Sequence, residues 1–123
     1  MKLTLPWPPS GNMYWRHVGK HVLLSAAAKK YRSLIKAVLW EHRARGEFRP
    51  MRDARLRIVA TYHPPTRRKW DLDNHWKQLA DALEKGGAFD DDGQIDDLRL
   101  VRSGTCKGGR VVVEIEEIME EAA

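Results

Sequence analysis

The chain has 123 residues, 32% of them charged, which is enough for one compact unit with a sizeable core. Its one cysteine, Cys106, excludes an internal disulfide and a thiolate metal cluster, and no stretch nears the roughly 20 apolar residues of a membrane span. The net charge of +5 is unevenly shared: residues 1–70 balance at +13 and residues 71–123 at −8, the pattern of a polyanion gripped by one half and an acidic site in the other.

Residues 2–7, KLTLPW, alternate polar and apolar and predict a first strand, which Pro6, Pro8 and Pro9 end because proline cannot donate to a ladder. Ser10-Gly11-Asn12 is turn chemistry. Residues 13–24 predict a short hairpin or an irregular excursion around Gly19. His17 and His21 are four apart, but Gly19 between them argues against a helical metal site, and they are read with Arg16 as a basic loop near nucleic acid. Ser25 is a good N-cap for a helix from Ala26 to Arg45, stopped by Gly46, with Tyr31, Leu34, Ile35, Val38 and Leu39 on its buried stripe. Lys29, Lys30, Arg32 and Lys36 lie on its other faces and are read mainly as solvated. Residues 54–62 alternate as a strand with Arg55 and Arg57 on one side and Leu56 and Ile58 on the other. Residues 97–103 and 110–117 predict the last two strands, joined as a hairpin through Gly104–Gly109, and the final MEEAA predicts a frayed acidic tail.

Between these strands lies the stretch that carries chemistry, residues 63–97. Pro64-Pro65 breaks the strand and the basic run Arg67-Arg68-Lys69 follows. Leu72, Trp76, Leu79, Ala80 and Leu83 then mark one face of a second helix, with Asp73, Lys77 and Glu84 along one flank. Asp71 or Asp73 can cap that helix, Lys85 and Gly86-Gly87 end it, and Asp81 is read as a structural partner of Lys85 at i+4. Trp70 can stack on an exposed base or pack on the body of the domain, and packing is the preferred reading. A second acidic group, Asp90-Asp91-Asp92, comes after the helix. Carboxylates are hard oxygen ligands of the kind Mg²⁺ takes, and a cation among them would turn repulsion of phosphate into attraction. The helix is about 20 Å long, so Asp71 and Asp73 can meet Asp91 and Asp92 only if the acidic loop runs back along it. The order β, hairpin or loop, α, β, α, β, β predicts an α+β, two-layer domain over residues 1–123, a mixed sheet packed with two main helices. The cysteine usage and an N-terminus without a signal-like apolar run are read as a cytoplasmic protein.

The chain resembles the RusA family of Holliday-junction endonucleases. The resemblance rests on LPWPPSGNMYWR at residues 5–16, Leu24-Ser25, Tyr31-Arg32, RRKWDLDNHWKQLADAL at 67–83 and DDGQI at 91–95. It implies a homodimer that binds four-way DNA junctions and makes paired, Mg²⁺-dependent nicks, with Mn²⁺ as a substitute metal. It implies metal-binding, catalytic roles for Asp71, Asp73 and Asp92, an auxiliary ligand role for Asp91, and an essential Lys77. Arg67, Arg68, Lys69 and Arg16 are expected to hold DNA phosphates. Two departures stand out: Trp70 separates the basic run from Asp71, and Asp90 lengthens the acidic pair to three. The rival readings are a less selective metal-dependent DNA nuclease and a junction-binding module without catalysis.

Overall fold

The computed structural model describes residues 1–119. The tail expected to fray lies, from residue 120 on, outside the described residues. The elements are β1 (Lys2–Pro6), a one-turn helix α1 (Gly11–Tyr14), β2 (Trp15–Val18), β3 (His21–Leu24), α2 (Ala26–Ala44), β4 (Leu56–His63), α3 (Trp76–Lys85), β5 (Ile95–Arg102) and β6 (Arg110–Glu117). Short 3₁₀ turns at Leu72–His75 and Asp92–Gln94 precede α3 and β5.

The fold is α+β. Four strands form one mixed sheet in the order β1-β6-β4-β5, and β2 and β3 form a separate antiparallel ribbon. Strict alternation in β4 sends Leu56, Ile58, Ala60 and Tyr62 to one face, where they are buried. Val111, Val113 and Ile115 of β6 and Leu3 and Leu5 of β1 join them. Helices α2 and α3 cover that face with Tyr31, Ile35 and Leu39 and with Leu79, Ala82 and Leu83. The opposite face keeps charge: Arg57 donates to Asp97 at 2.8 Å, and Arg99 lies 3.6 Å from the same carboxylate. Antiparallel partners and a solvated second face are compatible in such a sheet.

The structure corrects the expected terminal hairpin. β5 pairs in parallel with β4, and β6 inserts antiparallel between β4 and β1, so β5 and β6 never touch as neighbours. Apolar alternation marks a strand but not its neighbour. Gly104–Gly109 is therefore a connection across the end of the sheet. At Gly109 the backbone has φ 72°, and a Cβ there would meet Trp7 Cβ at 2.9 Å, so glycine is required on both counts. The excursion at 13–24 is indeed a hairpin, with Gly19 at φ 59° in its turn. Ser25 caps α2 as expected, its Oγ accepting from Ala28 N–H at 3.0 Å.

The parallel β4–β5 pair controls everything that follows. Parallel neighbours need a crossover spanning the sheet. The basic loop leaves the C-terminal end of β4, α3 returns along the sheet, and the acidic loop enters the N-terminal end of β5. Arg102, at the end of β5, accordingly donates to the Trp70 carbonyl at 3.0 Å, while Gln94, at its start, reaches Ala54 before β4.

Candidate functional site

At the first end of α3, the aspartates are not spent on capping. The 3₁₀ turn Leu72–His75 delays the helix to Trp76, with His75 at its N-cap position. Asp71 flanks that turn without a side-chain cap bond. Asp71 and Asp73 are both exposed, and neither carboxylate has an ion-pair partner within 4 Å among the described residues. Two carboxylates left in water next to three cations are available to an external ion.

The neighbouring basic loop rests on an aromatic platform. Trp70 packs edge-on to Trp7 with ring centroids 5.1 Å apart and meets Tyr62 and His75 at 5.7 and 5.6 Å. The packing role read for Trp70 is what the structure shows. His75 Nδ1–H donates to the Pro8 carbonyl at 2.8 Å, and burial pushes its pKa below the ordinary histidine value. Arg67, Arg68 and Lys69 stay exposed and line a groove with Trp70 and Arg102. The Arg102 guanidinium sits 4.4 Å over the Trp70 ring, a cation–π contact that holds it at the groove wall. Arg102 is a candidate phosphate contact that sequence reading missed. It lies far along the chain, and only the parallel strand pairing brings it here.

At the far end of α3, Glu84, Asp91 and Asp92 place carboxylate oxygens within 4.8 Å of one another, the one such group of three among the described residues. Glu84 is the ligand candidate missed from sequence. Its only signal was its place on the flank shared with Asp73 and Lys77. Its Oε1 accepts from Asp92 N–H at 3.3 Å. The Asp91 carboxylate accepts from Gly93 N–H at 2.9 Å, and that bond holds its pKa below the usual range.

The acidic loop is pinned by a buried amide. Gln94 Nε2 donates to the carbonyls of Met51 and Ala54, each at 2.9 Å. Its Oε1 accepts from Asp90 N–H at 2.8 Å and Asp91 N–H at 3.0 Å. One side chain thus ties the acidic turn to the segment before β4.

Between the two ends, Lys77, Asp81, Glu84 and Asp92 line one cavity of about 290 Å³ along the outer flank of α3, walled by Trp15 and Trp76. Asp81 is not paired with Lys85. It takes a two-pronged ion pair from Arg32, at 2.7 and 2.8 Å, and a hydrogen bond from the Tyr14 hydroxyl. A carboxylate pairs best with the planar guanidinium fork that packing brings close, and Lys85 turns instead to Glu84 at 3.9 Å. This ties α1, α2 and α3 together behind the cavity and takes Arg32 off the solvated face.

The structure thus joins Lys77 with Asp92, and Asp92 with Asp91 and Glu84. It does not join Asp71 and Asp73 to them. The acidic loop does not run back along α3, because the crossover to a parallel strand must deliver it to the opposite end of the sheet. The ten residues of α3, about 15 Å long, lie between the two acidic groups. Arg16 lies on the exposed ribbon β2–β3, away from the basic groove lining.

The donor chemistry fits a hard divalent cation. Octahedral ligands at roughly 2.0–2.1 Å lie about 3–4 Å apart, close to the spread of the Glu84, Asp91 and Asp92 oxygens.

The model of the family Endodeoxyribonuclease RusA matches residues 6–116. The chain is 38% identical over 119 residues to "Crossover junction endodeoxyribonuclease RusA" of Escherichia coli (strain K12), covering 97% of this chain and 96% of that protein. The protein of the same name in Shigella sonnei (strain Ss046) gives the same identity and coverage. "Crossover junction endodeoxyribonuclease rusA" of Enterobacteria phage HK97 is 35% identical over 117 residues, covering 95% and 94%.

Proposed function

The chain belongs to the RusA family of endodeoxyribonucleases, and from that premise we propose that it is a crossover junction endodeoxyribonuclease, a Holliday-junction resolvase of DNA recombination and repair. The observation that carries the site reading is Lys77 lining one cavity with Asp92, beside the carboxylates of Glu84 and Asp91. RusA-family nucleases are metal-dependent, and Mg²⁺, or Mn²⁺ in its place, suits these oxygen donors. Asp92, Asp91 and Glu84 would hold it at one end of α3, and Asp71 with Asp73 supply the other carboxylates of the catalytic set.

The reaction is hydrolysis of a DNA phosphodiester: a water oxygen bonds to phosphorus, the P–O bond to the leaving sugar oxygen breaks, and that oxygen is protonated. A cation held there would supply Lewis-acid polarisation of the phosphate and acidify water. Lys77 aims an ammonium with three donors at the charge that builds on the phosphoryl oxygens. Arg67, Arg68 and Lys69 grip backbone phosphates, which gives affinity and register without reading bases, and Arg16 does the same from the ribbon. Residues 1–123 act as one domain, and the working unit is a homodimer. A single chain keeps Asp71 and Asp73 too far from Asp92 for one ion. A two-fold partner can bring its own aspartates to that ion, and paired nicks on a four-way junction need two such sites.

The test is nicking of a synthetic four-way junction in Mg²⁺, beside a linear duplex of the same sequence. Cleavage of the junction alone supports resolution. Equal cleavage of both would leave a less selective nuclease, and metal binding without nicking would leave a binding module.

A further inference from the structure

We propose that Trp40, with Lys36, Arg43 and Arg52, forms a second nucleic-acid contact, which grips the strand running on from the metal end of α3 and stacks the indole on a base unpaired at the branch point. The inference rests on the reading of the Glu84–Asp91–Asp92 end as the place where phosphate is cut.

Lys36, Trp40 and Arg43 stand at i, i+4 and i+7 of α2, so they share one helix face. Leu39, between them in sequence, is buried, whereas Trp40 is 71% exposed. No ring contact or hydrogen bond occupies the indole among the described residues. Arg52 comes from the segment before β4, and the four side chains line one cavity of about 250 Å³ over Phe48. Lys36, Arg43 and Arg52 have no ion-pair partner within 4 Å among the described residues, and the only carboxylate lining the cavity is Asp90. A solvated tryptophan beside three cations without ion-pair partners, against one carboxylate, is complementary to a stacked base with its phosphates.

Asp90 also fixes the position of this patch. It lines the cavity and stands two residues before Asp92, which lines the cavity holding Lys77. Two Cα steps span at most about 7.6 Å. Phosphates on one strand advance about 3.4 Å along the duplex axis per nucleotide. A strand with its reacting phosphate at Asp92 therefore reaches the patch within about three nucleotides. Trp40 and Arg43 are separate from the basic groove under Arg67 and Arg102, at the other end of α3.

The experiment measures binding of a four-way junction and a matched linear duplex by gel shift, in Ca²⁺, over a series of salt concentrations. Trp40→Ala should weaken junction binding at least about 5-fold and duplex binding less than 2-fold, with Trp40→Phe close to wild type. Arg43→Ala with Arg52→Ala should lower the slope of log affinity against log salt by about two for both DNAs. Unchanged affinity and slope in these variants would overturn the proposal. A drop to monomer mass by light scattering in Trp40→Ala, with junction affinity recovered at higher protein concentration, would also overturn it and assign the patch to self-association. Wild-type nicking in Mg²⁺ is scored in parallel: its absence sinks the nuclease reading, whereas nicking with unchanged variant affinities sinks this contact alone.

Discussion

At the scale of single residues, the carboxylates divide by what they touch. Asp81 is held by Arg32 and Tyr14 and belongs to the scaffold. Asp71, Asp73 and Asp92 carry charge without such partners. Asp71→Asn, Asp73→Asn and Asp92→Asn are expected to keep the fold and to bind junctions as well as wild type or better, since repulsion of phosphate falls. Nicking should drop at least about 100-fold in each, as for loss of a principal electrostatic contact. Gel shift and nicking on the same junction check this, and near wild-type cleavage removes that residue from the site. His75 gives a pH signature. Its folded pKa lies below the ordinary value near 6.5, so the unfolded chain binds the extra proton first. The stability His75 contributes is complete above about pH 6.5 and is lost as pH falls through the lower folded value. The melting temperature should therefore decline on acidification from pH 7.5 towards 5. His75→Asn, which keeps an N–H for the Pro8 carbonyl but does not titrate, should flatten that decline.

At the scale of elements, the acidic loop owes its shape to Gln94. Four hydrogen bonds converge on this buried amide, and no other described side chain links the loop to the segment before β4 by two carbonyls. Gln94→Ala orphans the Met51 and Ala54 carbonyls and two loop N–H groups. The loss is expected at about 1–3 kcal/mol by denaturant unfolding. Mg²⁺ dependence of nicking should shift to higher concentration, because Asp91 and Asp92 lose their common frame. A loop that merely follows β5 would show neither change. The same loop predicts a metal preference: Ca²⁺, whose oxygen ligands sit at about 2.3–2.6 Å in looser geometry, should support junction binding with little cleavage. Equal turnover in both metals would argue against tight placement of the reacting phosphate.

At the scale of the whole molecule, the parallel crossover sets Asp71 and Asp73 at one end of α3, about 15 Å long, and Glu84 and Asp92 at the other. A dimer whose sites draw one acidic group from each chain predicts complementation. Asp73→Asn and Asp92→Asn are each inactive alone. Mixed, they should recover one nick per junction, since one of the two sites then receives an intact Asp73 from one chain and an intact Asp92 from the other. No recovery from mixed dimers of confirmed composition would place each complete site within one chain. The uneven charge should also show in bulk. Affinity is expected to fall steeply with salt, because each phosphate contact releases counterions.

The sequence by itself determined most of the elements and singled out the candidate reactive residues. Apolar periodicity marked α2 and β4 to within a few residues, Ser25 announced its cap, and the aspartates, Lys77 and the basic run stood out as groups a core would not choose. Both depend on local chemistry, which spacing along the chain records. Only the tertiary structure decided who neighbours whom. The alternation in β5 and β6 is the same whether they pair with each other or, as here, both with β4. The bidentate bond from Arg32 to Asp81 defeated the i+4 lysine because packing of α2 on α3 set the distances. Glu84 and Arg102 did not stand out as candidate site residues because strand order, a property of the whole sheet, placed one beside Asp92 and the other over Trp70.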